Sequence, residues 1–233
     1  MGVRFESGRG RQSVSTFKRN DATVALMNKR KTLGSFRLLF GILVFVAIIS
    51  QLVYLAQHKV LYLVNFFSYF TILSNVFAAL VLIVGGLYLL SGRKPSHSQE
   101  IIRSATMLYM AVTGIVYAAL LSGLSLGFLM PWVNDVLHRI MPVVVVADWL
   151  YQPTKTKLRA KQIPLLLIFP IVFLIYTLIR GPHIGWYPYP FLNPSKAGGY
   201  LGVALYSLAI LVLFYVLSRL MIYLGARLKR HVT

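Results

Sequence analysis

Long apolar stretches separated by short polar or basic segments make up most of the chain. They run over 36–56, 66–90, 101–121, 133–151, 164–179 and 200–224. A helix needs about 20 predominantly apolar residues to cross about 30 Å of hydrocarbon. Most of these stretches meet that length, so the pattern predicts an all-α polytopic membrane protein with six transmembrane helices. The fifth stretch is shorter, so its helix is expected either to begin near Lys161 or to cross with less tilt. Pro170 within it predicts a kink, because proline has no N–H to give to the preceding turn. Three regions follow: a flexible basic arm over 1–34, a six-helix domain over 35–225, and a basic tail over 226–233.

Composition agrees with that reading. Of 233 residues, 58% are hydrophobic and 12% charged, and the net charge is +19. So basic a chain raises nucleic acid as a partner, but most of the charges flank apolar stretches, which points to membrane topology instead. Lys and Arg accumulate on cytoplasmic loops. Eight lie between Arg4 and Lys31, and Arg93 and Lys94 follow the second stretch. Lys155, Lys157, Arg159 and Lys161 follow the fourth, and Arg227, Lys229 and Arg230 end the chain. The opposite side holds only Lys59, Arg180 and Lys196. The bias predicts cytoplasmic N- and C-termini. Trp132 and Trp149 are read as interfacial anchors at the two ends of the fourth stretch. The basic arm is read as a disordered tail that can meet anionic lipid headgroups, each basic residue near the surface contributing about 1 kcal/mol. The first apolar run is long enough to span, so it reads as an anchor and not as a cleaved signal.

The absence of cysteine removes disulfides, thiol nucleophiles and thiolate metal sites. No carboxylate cluster or His-Glu-x-x-His pattern predicts a metal, and no cofactor is expected. Five acidic residues are too few to line a cation pathway.

Ionisable groups are costly within a bilayer and usually face a cavity or a partner. The fourth stretch places Asp135, His138 and Arg139 within one and a half turns. Entering from the outer side, His138 lies about 7–8 Å below that boundary at 1.5 Å per residue. The second stretch enters from the same side, and its Thr71 falls at the same depth. An imidazole can take a proton from a hydroxyl that attacks an acyl carbonyl, so Thr71 and His138 are the candidate catalytic pair. Asn75, one turn below Thr71, is a candidate oxyanion donor. Asp135, three residues before His138, could orient the ring, or it could simply pair with Arg139 at i, i+4. A threonine in a membrane helix more often bonds its own i−4 carbonyl or a neighbouring helix. Asp148 is expected to pair with a basic loop residue. Residues 180–200, with four Pro, four Gly and five aromatics, read as a stiff loop lying over this level. Within it Arg180, His183 and Trp186 are candidate lid or headgroup contacts.

Taken together, Tyr69-Phe70-Thr71-Ile72-Leu73-Ser74-Asn75, the His138-to-Pro142 stretch followed by Asp148-Trp149, and Arg180-Gly181-Pro182 through Trp186-Tyr187-Pro188-Tyr189-Pro190-Phe191 resemble the bacterial Pr-six-Pr membrane protein family. The resemblance covers about residues 36–224 and implies a multi-pass protein of a bacterial cytoplasmic (inner) membrane. That family is more distantly similar to the androgen-induced and androgen-dependent membrane hydrolases of fatty acid esters of hydroxy fatty acids. The resemblance implies an intramembrane Thr and His acting on lipid esters, at Thr71 and His138. Three functions are carried forward. The first is a Thr/His-dependent lipid-ester hydrolase. The second is a non-enzymatic lipid or small-molecule binder, or a proton-coupled transporter, possible as a homo-oligomer. The third is a scaffold contacting partners through the arm.

Overall fold

A computed structural model describes residues 8–124, 128–154 and 158–229, and among these the regular structure is all helical, with no strand. In the described residues nine α-helices follow in order: α1 Gly8–Gln57, α2 Leu63–Phe66, α3 Phe70–Leu90, α4 His97–Val116, α5 Pro131–Asp135, α6 Met141–Tyr151, α7 Ile163–Ile184, α8 Pro194–Ala197 and α9 Gly199–Lys229. Two π-helical turns are inserted: Tyr117–Leu121 continues α4, and Val136–Ile140 joins α5 to α6. Two 3₁₀ turns, Ala160–Gln162 and Pro190–Leu192, precede α7 and α8.

Among the described residues, five helical stretches are long and apolar enough to cross a membrane: Thr23–Gln57, Phe70–Leu90, His97–Leu121, Ala160–Ile184 and Gly199–Leu228. The expected fourth stretch is helical from Pro131 to Tyr151. It falls outside the five because Asp135, Arg139 and Asp148 all lie within it. Most of the segment read as a basic arm belongs to the same helix as the first apolar stretch, since α1 starts at Gly8. Arg4, Lys155, Lys157 and Arg230, counted in the charge bias, lie outside the described residues.

Local chemistry sets the helix ends. Ser96 caps α4: its hydroxyl accepts the Gln99 amide at 3.3 Å, and the Gln99 side chain accepts the Ser96 amide at 2.8 Å. α7 has Pro164 in its first turn, where the missing N–H costs nothing. It stops at Gly185, whose φ of 63° only glycine adopts freely. It is therefore longer than the sequence pattern indicates. Pro182 deprives only Leu178 of an amide, so the last turn survives it. Arg180 and His183 consequently lie on the helix, and the loop begins only after Ile184.

α1 and α3 cross where glycines allow the backbones to meet. A Cβ on Gly86 would lie 2.8 Å from the Gly34 carbonyl oxygen, and one on Gly41 3.0 Å from that of Ala79. Between apolar helices in lipid, such close approach is the main source of adhesion, because the lipid tails are as apolar as leucine. α4 packs along α6 in the same way. A Cβ on Gly114 would lie 2.8 Å from Pro142 Cβ.

Pro170 and Pro142 also leave carbonyls without a backbone donor, and each of these is served from another helix. Pro170 cannot bond Leu166, and the Tyr109 hydroxyl on α4 donates to the Leu166 carbonyl at 3.0 Å instead. Around Pro142 the helix widens into the π turn, and the Met141 amide reaches back to Val136. The amide five residues after Leu137 would belong to Pro142 and does not exist. Asn75 Nδ2, from α3, donates to the Leu137 carbonyl at 3.0 Å.

Candidate functional site

A half-open space of about 220 Å³ lies between α3, α4, α7, α9 and the loop after α7. Its walls are mainly apolar, with Phe70, Val112, Phe173, Phe191 and Phe214 among them, and four hydroxyl residues join them: Thr71, Thr113, Tyr189 and Ser207. Aromatic rings define much of the surface. Phe70 meets Phe173 edge-on at 5.2 Å, and Tyr189 stacks on Phe191 at 5.1 Å and 4°.

Thr71 is buried, in the first turn of α3, where backbone amides have no helical partner. Its N–H donates to the Tyr189 hydroxyl at 3.1 Å, and its own Oγ1 is 3.3 Å from the same oxygen. Tyr189 comes from the loop before the Pro190–Leu192 turn. Burial pushes its phenol up to about 12, so it remains a protonated donor. The loop thus enters the site directly and is not simply a cover above it. Nothing in the hydropathy pattern marks Tyr189 out from the loop's other aromatics. Its role comes from meeting the free amide that starts α3.

His138 is buried on the π turn. Its ring stacks on Tyr117 at 4.5 Å and 27°. Its Nδ1 lies 3.2 Å from the Asn134 carbonyl, which can only accept. Nδ1 therefore carries the proton, and in the neutral ring Nε2 presents a lone pair. Among the described residues no hydrogen bond joins His138 to Thr71, and His138 does not line the cavity. The Asn134 amide donates to the Tyr117 hydroxyl at 2.7 Å, leaving its Oδ1 unpartnered.

Asn75 connects the two candidate groups without serving as the expected oxyanion donor. Its Nδ2 donates to the Thr71 carbonyl at 2.9 Å and to the Leu137 carbonyl beside His138 at 3.0 Å. An amide nitrogen has two hydrogens, and both are used. What remains is a buried acceptor, Oδ1, with no partner. Ser74 and Thr113 extend the polar strip, with hydroxyls 3.2 Å apart.

Asp135 pairs with Arg139 at 2.9 Å, with side chains 47% and 60% exposed. This is the simple i, i+4 arrangement, and no contact of Asp135 orients the His138 ring among the described residues. Arg139 also lies over the Tyr117 ring at 5.8 Å. Arg180 donates to Asn65 Oδ1 at 2.6 Å and sits 5.4 Å from the Trp186 ring, which meets Tyr69 edge-on. These contacts fasten the start of the loop to the turn before α3. His183 bonds its own i−4 carbonyl, that of Ile179, at an exposed position and takes no part in the cavity.

A second polar centre lies elsewhere in the fold. Asp148 accepts from Arg37 of α1 at 2.7 Å and from Arg103 of α4 at 3.2 Å. These partners are arginines within helices, not the basic loop residue expected. Arg37 also reaches the Gln152 side chain at 2.8 Å. Trp149 is buried, and its Nε1 donates to Ser104 at 3.2 Å. It is a packing residue between α4 and α6 and not the interfacial anchor expected; Trp132, at the other end, is exposed. Among the described residues no cluster of His, Cys, Asp or Glu could hold a metal.

Comparison with protein-family models, curated proteins and solved structures finds no match to this chain. The likeness to Pr-six-Pr proteins therefore rests on the motifs alone.

Proposed function

We propose that the protein is a six-span integral membrane protein, both termini cytoplasmic, that takes the acyl part of a membrane lipid into the cavity beside Thr71. The half-open apolar space that meets the Thr71 hydroxyl carries this reading. A sixth crossing by residues 131–151 is supported by how they register with α1. At one end Gln51 bonds the Phe128 carbonyl and the Met130 amide; at the other Arg37 holds Asp148. Residues 37–51 of α1 cover about 21 Å at 1.5 Å per residue, and the segment runs antiparallel along that whole length. An even number of crossings also agrees with basic segments at both ends of the chain. The test is native mass spectrometry of protein released from nanodiscs. Co-isolated lipid or fatty acid is expected in wild type and lost in Ser207→Trp, which fills the cavity. Equal occupancy in both rejects the cavity as the binding site.

A second reading makes the same site a lipid-ester hydrolase. Its support is the Asn75 amide, which ties the turn of Thr71 to that of His138, and the free Nε2 lone pair. Thr71 Oγ1 would attack the acyl carbonyl while Nε2 takes its proton. The imidazolium would protonate the departing alkoxide, and water would then release the acid from the acyl-threonine. His138 and Thr71 are not hydrogen-bonded to each other, so the pair must close before this transfer. A fluorophosphonate probe should label Thr71 in wild type and not in His138→Ala. If Thr71→Ala and His138→Ala both leave ester hydrolysis unchanged, this reading is wrong.

A further inference from the structure

An alkyl chain gains little by exchanging bilayer for an apolar cavity, because both surroundings are equally apolar. Discrimination among membrane ligands must come from the polar end of the site. There the Thr71 and Tyr189 hydroxyls stand 3.3 Å apart on residues that both line the cavity. The Tyr189 oxygen already accepts the Thr71 amide, which leaves its own proton to be given away. The Thr71 hydroxyl has a proton as well. One of the two protons is engaged in the bond between the hydroxyls; a carbonyl oxygen entering beside them replaces that bond and accepts both.

We infer that Tyr189 is the specificity-determining residue of this cavity, selecting amphiphiles that carry a carbonyl oxygen to which Tyr189 and Thr71 donate together. This rests on the cavity reading above and names its ligand class. Free acids and esters share the required acceptor; an alkane has none. Tyr189 is suited to the task because its ring is fixed on two sides, stacked on Phe191 and meeting Tyr69 edge-on at 5.7 Å. Its hydroxyl is therefore positioned before any ligand arrives, and the ordering cost of binding is reduced.

The test is scintillation-proximity binding of tritiated decanoic acid to full-length protein in nanodiscs, with methyl decanoate and decane as competitors. Wild type should bind the acid, methyl decanoate should compete, and decane should not. Tyr189→Phe keeps the ring and its stacking and should weaken both acid and ester about five- to tenfold, the loss of one hydrogen bond. Thr71→Val should do the same, and the double variant should lose less than the product of the two losses. Ser207→Trp should abolish binding. If Tyr189→Phe binds the acid as wild type does while Ser207→Trp does not bind it, the inference about Tyr189 fails and the cavity reading stands. If decane competes as well as methyl decanoate, selection by a carbonyl is refuted. If wild type and Ser207→Trp bind alike, or wild type binds nothing, the cavity reading fails and this inference with it.

Discussion

Removing the charge of Asp148 should destabilise the helix bundle more than removing either arginine that pairs with it. The Asp148 side chain is 3% exposed, that of Arg37 5% and that of Arg103 15%. Asp148→Asn leaves two buried guanidinium groups with no anion between them, and among the described residues only the more distant Glu100 carboxylate still attracts Arg103. Arg37 retains Gln152 Oε1, and Arg103 retains the Asp148 and Gln152 carbonyls, so the hydrogen bonds are partly kept while the charge is not. Removing one partner of a buried pair costs about 3–5 kcal/mol. At about 1.4 kcal/mol per decade, the middle of that range is close to a thousandfold in the folding equilibrium. Arg37→Met is different, since Asp148 keeps Arg103 as a neutral pair. Its cost should be about 2 kcal/mol, that of a hydrogen bond to a charged group. The assay is unfolding in mixed micelles with increasing dodecyl sulfate, followed by Trp149 fluorescence in a background with Trp132 and Trp186 changed to Phe. Trp149 is next to Asp148 and bonded to α4, so it reports separation of α6 from α4. Equal losses for Asp148→Asn and Arg37→Met, or a loss under about 1 kcal/mol for Asp148→Asn, would refute the argument from uncompensated charge.

The proline-freed carbonyls give a sharper test of packing. Tyr109→Phe should cost about 1–3 kcal/mol by leaving the Leu166 carbonyl without a donor, but almost nothing in a Pro170→Ala background, where the restored backbone amide serves it; a double-mutant cycle showing additivity would sink the explanation. Asn75→Leu should cost a similar amount and reduce hydrogen-exchange protection over 136–143, and unchanged protection there would show that Asn75 does not hold the π turn. Gly86→Leu should separate α1 from α3, because its first side-chain atom meets the Gly34 carbonyl; wild-type unfolding behaviour in this variant would mean that the crossing is looser than described. Because the chain has no cysteine, a single Ser195→Cys should react with an impermeant maleimide applied to intact cells, while Ser91→Cys should react only after lysis; the reverse pattern would overturn the cytoplasmic assignment of the termini.

Helix content and the position of nearly every long helix were legible in the hydropathy pattern, because a chain in lipid must satisfy its backbone within each segment. The surface pair of Asp135 and Arg139 was legible too, since i, i+4 neighbours on a helix meet whatever the fold does. The extension of α7 past Pro182 was missed because a proline near the last turn removes only one bond. Trp149 was misread because interface and interior both accept an aromatic with a polar edge, and only the position of Ser104 decides between them.

The sequence by itself determined where the long apolar helices lie and that Asp135 and Arg139 pair along one helix. Tertiary structure alone decided what Asn75 and Thr71 touch. Asn75 spends its amide on the Leu137 carbonyl because Pro142 orphaned it, and Thr71 meets Tyr189, 118 residues away, because the loop after α7 folds back onto the start of α3. Hydropathy is a sum over neighbours in the chain, whereas a hydrogen bond between distant residues depends on where two separate backbones end and how each leaves a donor or acceptor unpaired.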